Sequence, residues 1–117
     1  TGVATQMHIS TGTSKSGIDN ALRKLASTGL KVKIAELDIK CSSANPSAAQ
    51  LQNQSDMYKY VVQSYRANVP AAQRAGITTW GVYDGSTWIQ NDAPLLFDKS
   101  FNKKPAYVGF KRGLLGL

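Results

Sequence analysis

Polar and aromatic side chains follow the ends of three short apolar segments of the sequence. They are Gln6 and His8, then Glu36 and Asp38, and finally Trp80 with Trp88 just beyond. Residues two apart in a β-strand point to the same side of it, so each of the first two pairs would present both side chains together. Three such groups at the ends of strands indicate a site for chemistry.

Glu36 is the first candidate for a catalytic group, because it lies inside an apolar run between Ile34 and Leu37. A carboxylate there is costly to bury unless it has a partner or a function. A structural ion pair with Lys or Arg is the alternative interpretation. His8 taken alone is more often a core histidine, but beside Glu36 and Asp38 it could bridge the two carboxylates and hold a nucleophile in one orientation.

Trp80 and Trp88 suit the binding of a sugar, because an indole ring stacks on the apolar face of a pyranose. Both side chains could also be simple core residues. Beside carboxylates at a cleft, the two tryptophans favour a sugar-cleaving site.

The elements that would position these groups alternate between strand and helix. Residues 3–9 are short and rich in β-branched and apolar side chains, which predicts a buried strand. The next helix is capped by Ser14 or Ser16 and ended by Gly29. Its apolar stripe consists of Ile18, Leu22 and Leu25. Residues 30–39 are predicted to form the second strand.

A polar loop around Pro46 leads to a longer helix. The apolar face of that helix consists of Leu51, Tyr58, Val61, Val62 and Tyr65. Gly76 is predicted to separate it from a third strand at residues 77–82. Residues 83–94 are predicted to be irregular, and Pro105 to open the last helix.

Strand–helix repeats with short connections imply parallel strands joined by right-handed crossovers. The expected fold class is therefore α/β, either a doubly wound sheet or part of a (β/α)8 barrel. In a barrel, the residues at the carboxyl ends of the strands face the active site, and the polar groups fall at those ends here. A whole barrel takes roughly 250 residues, so this chain would supply about three of the eight units.

The composition fits one globular unit and argues against several classes of protein. Of the 117 residues 42% are hydrophobic, and no run of roughly 18 apolar residues could span a membrane. The net charge is +7, but the basic residues are spread out, whereas nucleic-acid binding favours a concentrated patch. The single Cys41, expected to be a buried or half-buried thiol, has no neighbours at metal-ligand spacing. We expect no nucleic-acid or membrane partner and no metal or organic cofactor.

Four ordered motifs resemble the glycoside hydrolase family 10 xylanases. Residues 6–8 resemble the Gln-x-His strand of that family, and residues 34–39 resemble its nucleophile strand. Residues 80–88 resemble the eighth strand with its loop, and residues 94–98 followed by 104–107 resemble the closing stretch. The order and spacing agree over nearly the whole chain.

The resemblance implies a retaining endo-1,4-β-xylanase on a (β/α)8 barrel, with residues 1–117 as the C-terminal part of the catalytic domain, strands six to eight. Glu36 would be the nucleophile, His8 would hydrogen-bond it, and Asp38 would orient His8. The residues expected to bind xylan or a xylo-oligosaccharide are Gln6, Trp80 and Trp88. The family resemblance also implies a secreted or periplasmic protein.

The general acid/base of the family is a Glu on a Trp-x-x-x-Asn-Glu-type strand in the first half of the barrel, and no such strand is present here. We therefore expect the chain to be inactive alone and to need a complementary N-terminal chain that carries this Glu. Asp84 or Asp98 could be nominated as a substitute acid, but nothing in the sequence supports either. Two alternatives stay open: an isolated non-catalytic fragment that binds xylan weakly, and a retaining hydrolase of β-glucans or other β-glycosides.

Overall fold

The computed structural model describes all 117 residues and confirms the predicted alternation of strands and helices. The elements are β1 (Gly2–Thr5), β2 (His8–Ser10), α1 (Lys15–Ala26), β3 (Lys31–Lys40), α2 (Ala48–Asn68), a 3-10 turn (Ala71–Gln73), β4 (Arg74–Thr79) and α3 (Pro105–Leu115). None of the helices combines the length and the hydropathy that crossing a bilayer requires.

Strand β3 is the centre of a sheet whose strands all pair in parallel. β1 and β4 both pair with β3 at Val32 and Ile34, so they lie on its two opposite edges. β2 continues along the edge that β1 occupies, where His8 lies opposite Asp38. Because the strands are parallel, their carboxyl ends meet at one rim. The outer edges of β1 and β4 pair with no further strand.

The first predicted strand, residues 3–9, is wrong as a single element. Met7 has a left-handed backbone (φ 67°), which interrupts the strand between β1 and β2. The backbone of β3 bridges this break, since Glu36 N–H donates to Gln6 O at 3.0 Å and Asp38 N–H donates to Met7 O at 3.4 Å. A bulky residue rarely adopts a positive φ. Here the side chain of Met7 is buried in the core, while Gln6 is exposed outside it.

The helices pack against the sheet and form the core with it. Ser14, one of the two predicted caps, accepts a hydrogen bond from Gly17 N–H at the start of α1. Ser47 and Gln50 form a reciprocal capping box at the start of α2. Core side chains from the two helices and β3 include Ile18, Leu22, Val32, Ile34, Met57, Tyr58, Val61 and Tyr65. Each fully buried side chain of this kind contributes roughly 1.5–3 kcal/mol, so β3 is fixed through its helix-facing side.

Strand β4 differs from the predicted third strand at both ends. It begins at Arg74 and contains Gly76 at a φ of 118°, so this glycine does not separate the strand from α2 as predicted. Glycine reaches this region without a Cβ clash, and here it accompanies a register shift against β3. β4 ends at Thr79, before the predicted end at residue 82. Gly29, by contrast, follows α1 with a φ of 76° as predicted.

A buried polar cluster fixes the irregular chain between β4 and α3. Lys104 Nζ donates to two carbonyl oxygens of residues 93–95, both at 2.7 Å, and pairs with the Asp84 carboxylate at 2.9 Å. Tyr58 and Gln54 of α2 donate to carbonyl oxygens of the same segment at 2.5 and 2.7 Å. Burial raises the pKa of Asp84, and the hydrogen bond from Lys104 offsets this only in part. The ion pair therefore fixes geometry, and its rupture would leave the buried Asp84 carboxylate without a cation, with only the hydrogen bond from Leu95 N–H at 2.8 Å.

Replacement of Lys104 by Met should destabilise the chain by about 3 kcal/mol, because the buried Asp84 carboxylate would lose its only cationic partner. The control is Lys103→Met, since Lys103 is exposed and lies 4.8 Å from the centre of the Tyr107 ring. Its loss should cost less than about 1 kcal/mol. Urea unfolding measures both variants, and equal losses of stability would contradict this role of Lys104.

Candidate active site

His8 joins the two carboxylates of β3. Its Nδ1 atom lies 2.9 Å from Asp38 Oδ1, and its Nε2 atom lies 2.9 Å from Glu36 Oε1. The backbone positions His8 for this, because it begins β2 directly opposite Asp38. Both ring nitrogens are engaged, so the imidazole ring has one orientation. The structure thus brings Asp38, His8 and Glu36 together as a continuous hydrogen-bonded chain, which we term the carboxylate–imidazole chain.

Burial and charge distinguish the two ends of this chain. The side chain of Asp38 is fully buried, whereas that of Glu36 keeps a quarter of its surface exposed. Burial lowers the pKa of His8, but its hydrogen bonds to Asp38 and Glu36 and their charges raise it more, so the pKa lies above the ordinary value of 6.5. A protonated His8 donates from both nitrogens, one to each carboxylate. Glu36 is therefore the end that is oriented by the protein and accessible to a ligand.

Trp88 also contacts the carboxylate–imidazole chain. Its Nε1–H donates to Asp38 Oδ2 at 2.7 Å, and its ring meets the His8 ring edge-on with centroids 5.0 Å apart. The indole remains 60% exposed, which leaves much of it free to contact a ligand. The sequence predicts a sugar-stacking role for Trp88 but gives no sign of its hydrogen bond to Asp38.

Backbone hydrogen bonds to β3 place Trp80 and Gln6 at the same rim of the sheet as Glu36. Trp80 directly follows β4, and its N–H donates to Leu37 O at 2.8 Å. Its side chain is 46% exposed in this chain and makes no hydrogen bond. The backbone carbonyl oxygen of Gln6 accepts a hydrogen bond from Glu36 N–H, and the side chain of Gln6 is exposed.

Neither alternative assignment of the acidic residues fits the geometry. Glu36 pairs with His8 and lies within ion-pair distance of no Lys or Arg, so it is not half of a structural ion pair with a basic residue. Asp84 is committed to Lys104 within the buried cluster. Asp98 accepts from the backbone of its own loop, at Ser100 and Asn102, and these bonds lower its pKa. Both nominated substitutes, Asp84 and Asp98, are therefore engaged in contacts that hold the loops in which they lie.

The loop after β3 is closed by contacts that the sequence does not reveal. Asp92 accepts from the backbone N–H groups of Cys41 and Ser42, at 2.8 and 3.0 Å. Cys41 is buried, as expected, and burial raises the pKa of its thiol. Asp92 is about fifty residues away in sequence, so no local pattern announces this contact. No group of three or more His, Cys, Asp or Glu side chains is arranged to hold a metal ion.

The site and the fold define a class of protein: a parallel β/α unit with an oriented, accessible carboxylate in the carboxyl-terminal half of a strand. The sequence model of glycosyl hydrolase family 10 matches residues 1–112. The chain belongs to this family.

Several known proteins that are similar to this chain are named xylanases. It is 37% identical to endo-β-1,4-xylanase Xyn10C of Cellvibrio japonicus, over 98% of this chain and 23% of that protein. It is 36% identical to endo-1,4-β-xylanase 2 of Aureobasidium pullulans, over 91% of this chain and 32% of that protein. The chain thus spans about a quarter to a third of these relatives.

A solved structure extends the likeness to three dimensions. A thermostable mutant of the xylanase Xyn10A from Cellvibrio japonicus superimposes with a TM-score of 0.92 at 34% identity. The match covers 99% of this chain and 40% of that one. The similar structures are xylanase barrels, so the α/β arrangement is part of a (β/α)8 barrel and not a doubly wound sheet.

His8 is the only histidine of the chain, so its titration can be followed without ambiguity by NMR. We expect a midpoint above 6.5, because the two carboxylates favour the imidazolium. The raised pKa means that this contribution to stability is present below about pH 6.5 and is lost as the pH rises through the midpoint. Asp38→Asn should lower the midpoint of the His8 titration. The control Asp56→Asn changes an exposed residue of α2 and should leave the midpoint unchanged. A wild-type midpoint at or below 6.5 would contradict the assigned geometry.

Proposed function

We propose that this chain is the nucleophile-bearing part of a retaining endo-1,4-β-xylanase. In this proposal residues 1–117 are the C-terminal part of the catalytic domain, and β1 with β2, β3 and β4 are barrel strands six, seven and eight. The observation that carries the proposal is the carboxylate–imidazole chain, which holds an accessible Glu36 in the carboxyl-terminal half of β3.

Glu36 acts as the nucleophile in this mechanism. Its carboxylate attacks the anomeric carbon of a xylose unit, the bond to the leaving oxygen breaks as the general acid of the complementary chain protonates that oxygen, and a covalent glycosyl-enzyme forms. Water then cleaves the intermediate and releases the product with its original anomeric configuration. The group that protonated the leaving oxygen takes a proton from the attacking water, which regenerates it. His8 keeps Glu36 in line through the 2.9 Å hydrogen bond, and Asp38 keeps His8 in one orientation.

The general acid/base comes from a complementary segment that carries the first five strands. Retaining enzymes place their two carboxyl groups about 5–5.5 Å apart, and Asp84 and Asp98 are occupied elsewhere in this chain. The unpaired outer edges of β1 and β4 are where such a segment would close the barrel. Without it, the chain is expected to be inactive.

Gln6, Trp80 and Trp88 bind the sugar in this proposal. The two indoles are exposed at the rim that carries Glu36 and can stack on pyranose rings. The similar xylanase 10C of Cellvibrio japonicus is described in complex with xylopentaose, which supports a xylo-oligosaccharide as ligand. We propose a secreted or periplasmic location, because polymeric xylan lies outside the cell.

A β-glucan is the second candidate substrate, because a relative 35% identical to this chain is named exoglucanase XynX, of Acetivibrio thermocellus. The Glu36 mechanism is the same for both sugars. The relative rates of the assembled enzyme on aryl β-xylobiosides and aryl β-cellobiosides would distinguish them.

Glu36→Ala should reduce xylan cleavage by the completed barrel by roughly 10³-fold or more, because the glycosyl-enzyme can no longer form. Native mass spectrometry first establishes that the assayed species exceeds 12.6 kDa and contains a second polypeptide. Added azide should restore turnover and give a product of inverted configuration, since it attacks the face that Glu36 has vacated.

The matched control is Asp56→Asn, which changes an exposed carboxylate of α2 that bonds only Gln52 and should retain activity. Substantial xylan cleavage by the Glu36→Ala enzyme would rule out Glu36 as the nucleophile.

A further inference from the structure

Two side-chain donors satisfy the carboxylate of Asp38, one for each oxygen. His8 Nδ1 lies 2.9 Å from Oδ1, and Trp88 Nε1–H donates to Oδ2 at 2.7 Å. The side chain of Asp38 has no exposed surface, so solvent contacts neither oxygen while His8 and Trp88 are in place. A buried carboxylate oxygen without a donor is unfavourable. The indole N–H is therefore part of what keeps Asp38 in place.

The loop that carries Trp88 is anchored on both sides of it. Asp84, which precedes Trp88, pairs with Lys104. Asp92, which follows Trp88, accepts from the backbone N–H groups of Cys41 and Ser42. The Trp88 ring also packs edge-on against the His8 ring. An indole that served only as a stacking surface for sugar would need neither the hydrogen bond to Asp38 nor this contact with His8.

We propose that Trp88 is a positioning residue. Its indole N–H holds Oδ2 of Asp38, which keeps Oδ1 in the position that orients the His8 ring. The His8 ring in turn orients Glu36. The exposed face of the same ring remains available to a sugar. Trp88 thereby connects the wall of the cleft to the orientation of the nucleophile. This inference rests on the proposed role of Glu36, but the hydrogen bond can be tested without it.

The titration of His8 reports on this hydrogen bond. The charged groups that face His8 are Glu36 and Asp38 of β3, and Lys40 lines the same cleft. The neighbouring residues of the Trp88 loop, Ile89 and Gln90, carry no charge. Without the indole N–H, the charge of Asp38 is balanced by His8 alone, so a proton on His8 becomes more favourable.

The experiment compares the NMR titration of His8 in the full chain and in Trp88→Phe, with Trp80→Phe as the matched control. Trp80 makes no side-chain hydrogen bond and lies on β4's end of the rim. A second variant keeps the shape of the ring: in the Trp80→Phe chain, tryptophan is replaced by its benzothienyl analogue, in which sulfur stands in place of the N–H. This variant covers the case in which Trp88→Phe fails to fold.

We expect the His8 pKa to rise by about 0.5 or more in both Trp88 variants, a roughly threefold change in the acid dissociation constant, and to stay unchanged in Trp80→Phe. An unchanged or lowered pKa in the benzothienyl chain would overturn the positioning role. That outcome would not bear on the proposal that Glu36 is the nucleophile. Undiminished xylan cleavage by Glu36→Ala would contradict the proposal for Glu36, but it would not change the NMR test of the Trp88 hydrogen bond.

Discussion

The arrangement of this site depends on a carboxylate that has no access to water. Asp38 is fully buried, and its two oxygens are satisfied by His8 on one side and Trp88 on the other. Because burying a charge without partners is very costly, the protein must hold both donors in place. Those donors come from two separate parts of the chain, β2 and the loop after β4. Satisfying one buried charge therefore fixes three elements relative to one another, and Glu36 is the accessible end of that arrangement.

The rest of the fold supplies the rigidity that this constraint requires. β3 is pressed against α1 and α2 through Val32 and Ile34 and flanked by parallel strands on both edges. The loop that carries Trp88 has no regular secondary structure. The buried Lys104 holds the end of this loop by hydrogen bonds to the carbonyl oxygens of Ala93 and Leu95. The net gain of such a buried ion pair is small. Here the ion pair fixes the position of the loop at Asp84.

Local patterns predicted the order of strands and helices, and they predicted the bounds of β3 closely. The alternation of β3 and the caps of α1 and α2 are encoded by neighbouring residues, and the bounds 30–39 differ from the observed Lys31–Lys40 by one position. The errors arose where tertiary contacts overrode a local pattern. Met7 interrupts a sequence that resembles one continuous strand, and Gly76 lies inside a strand that it was predicted to precede.

The grouping of Glu36, His8 and Asp38 was predictable because parallel strands bring their carboxyl ends together, and residue types at those ends are visible in the sequence. The hydrogen bond of Trp88 to Asp38, the pairing of Lys104 with Asp84 and the bonds of Asp92 to the loop after β3 were not, because each joins residues whose contact depends on an irregular loop. No periodicity describes such a loop.

The most direct test of the account is covalent trapping of the nucleophile. The barrel completed by this chain would be treated with a 2-deoxy-2-fluoro-β-xylobioside that carries an activated leaving group, which slows breakdown of the glycosyl-enzyme more than its formation. Peptide mapping by mass spectrometry then locates the sugar. The account predicts a single label on Glu36, and a label on any other carboxylate, or turnover of the native enzyme with no label at all, would contradict it.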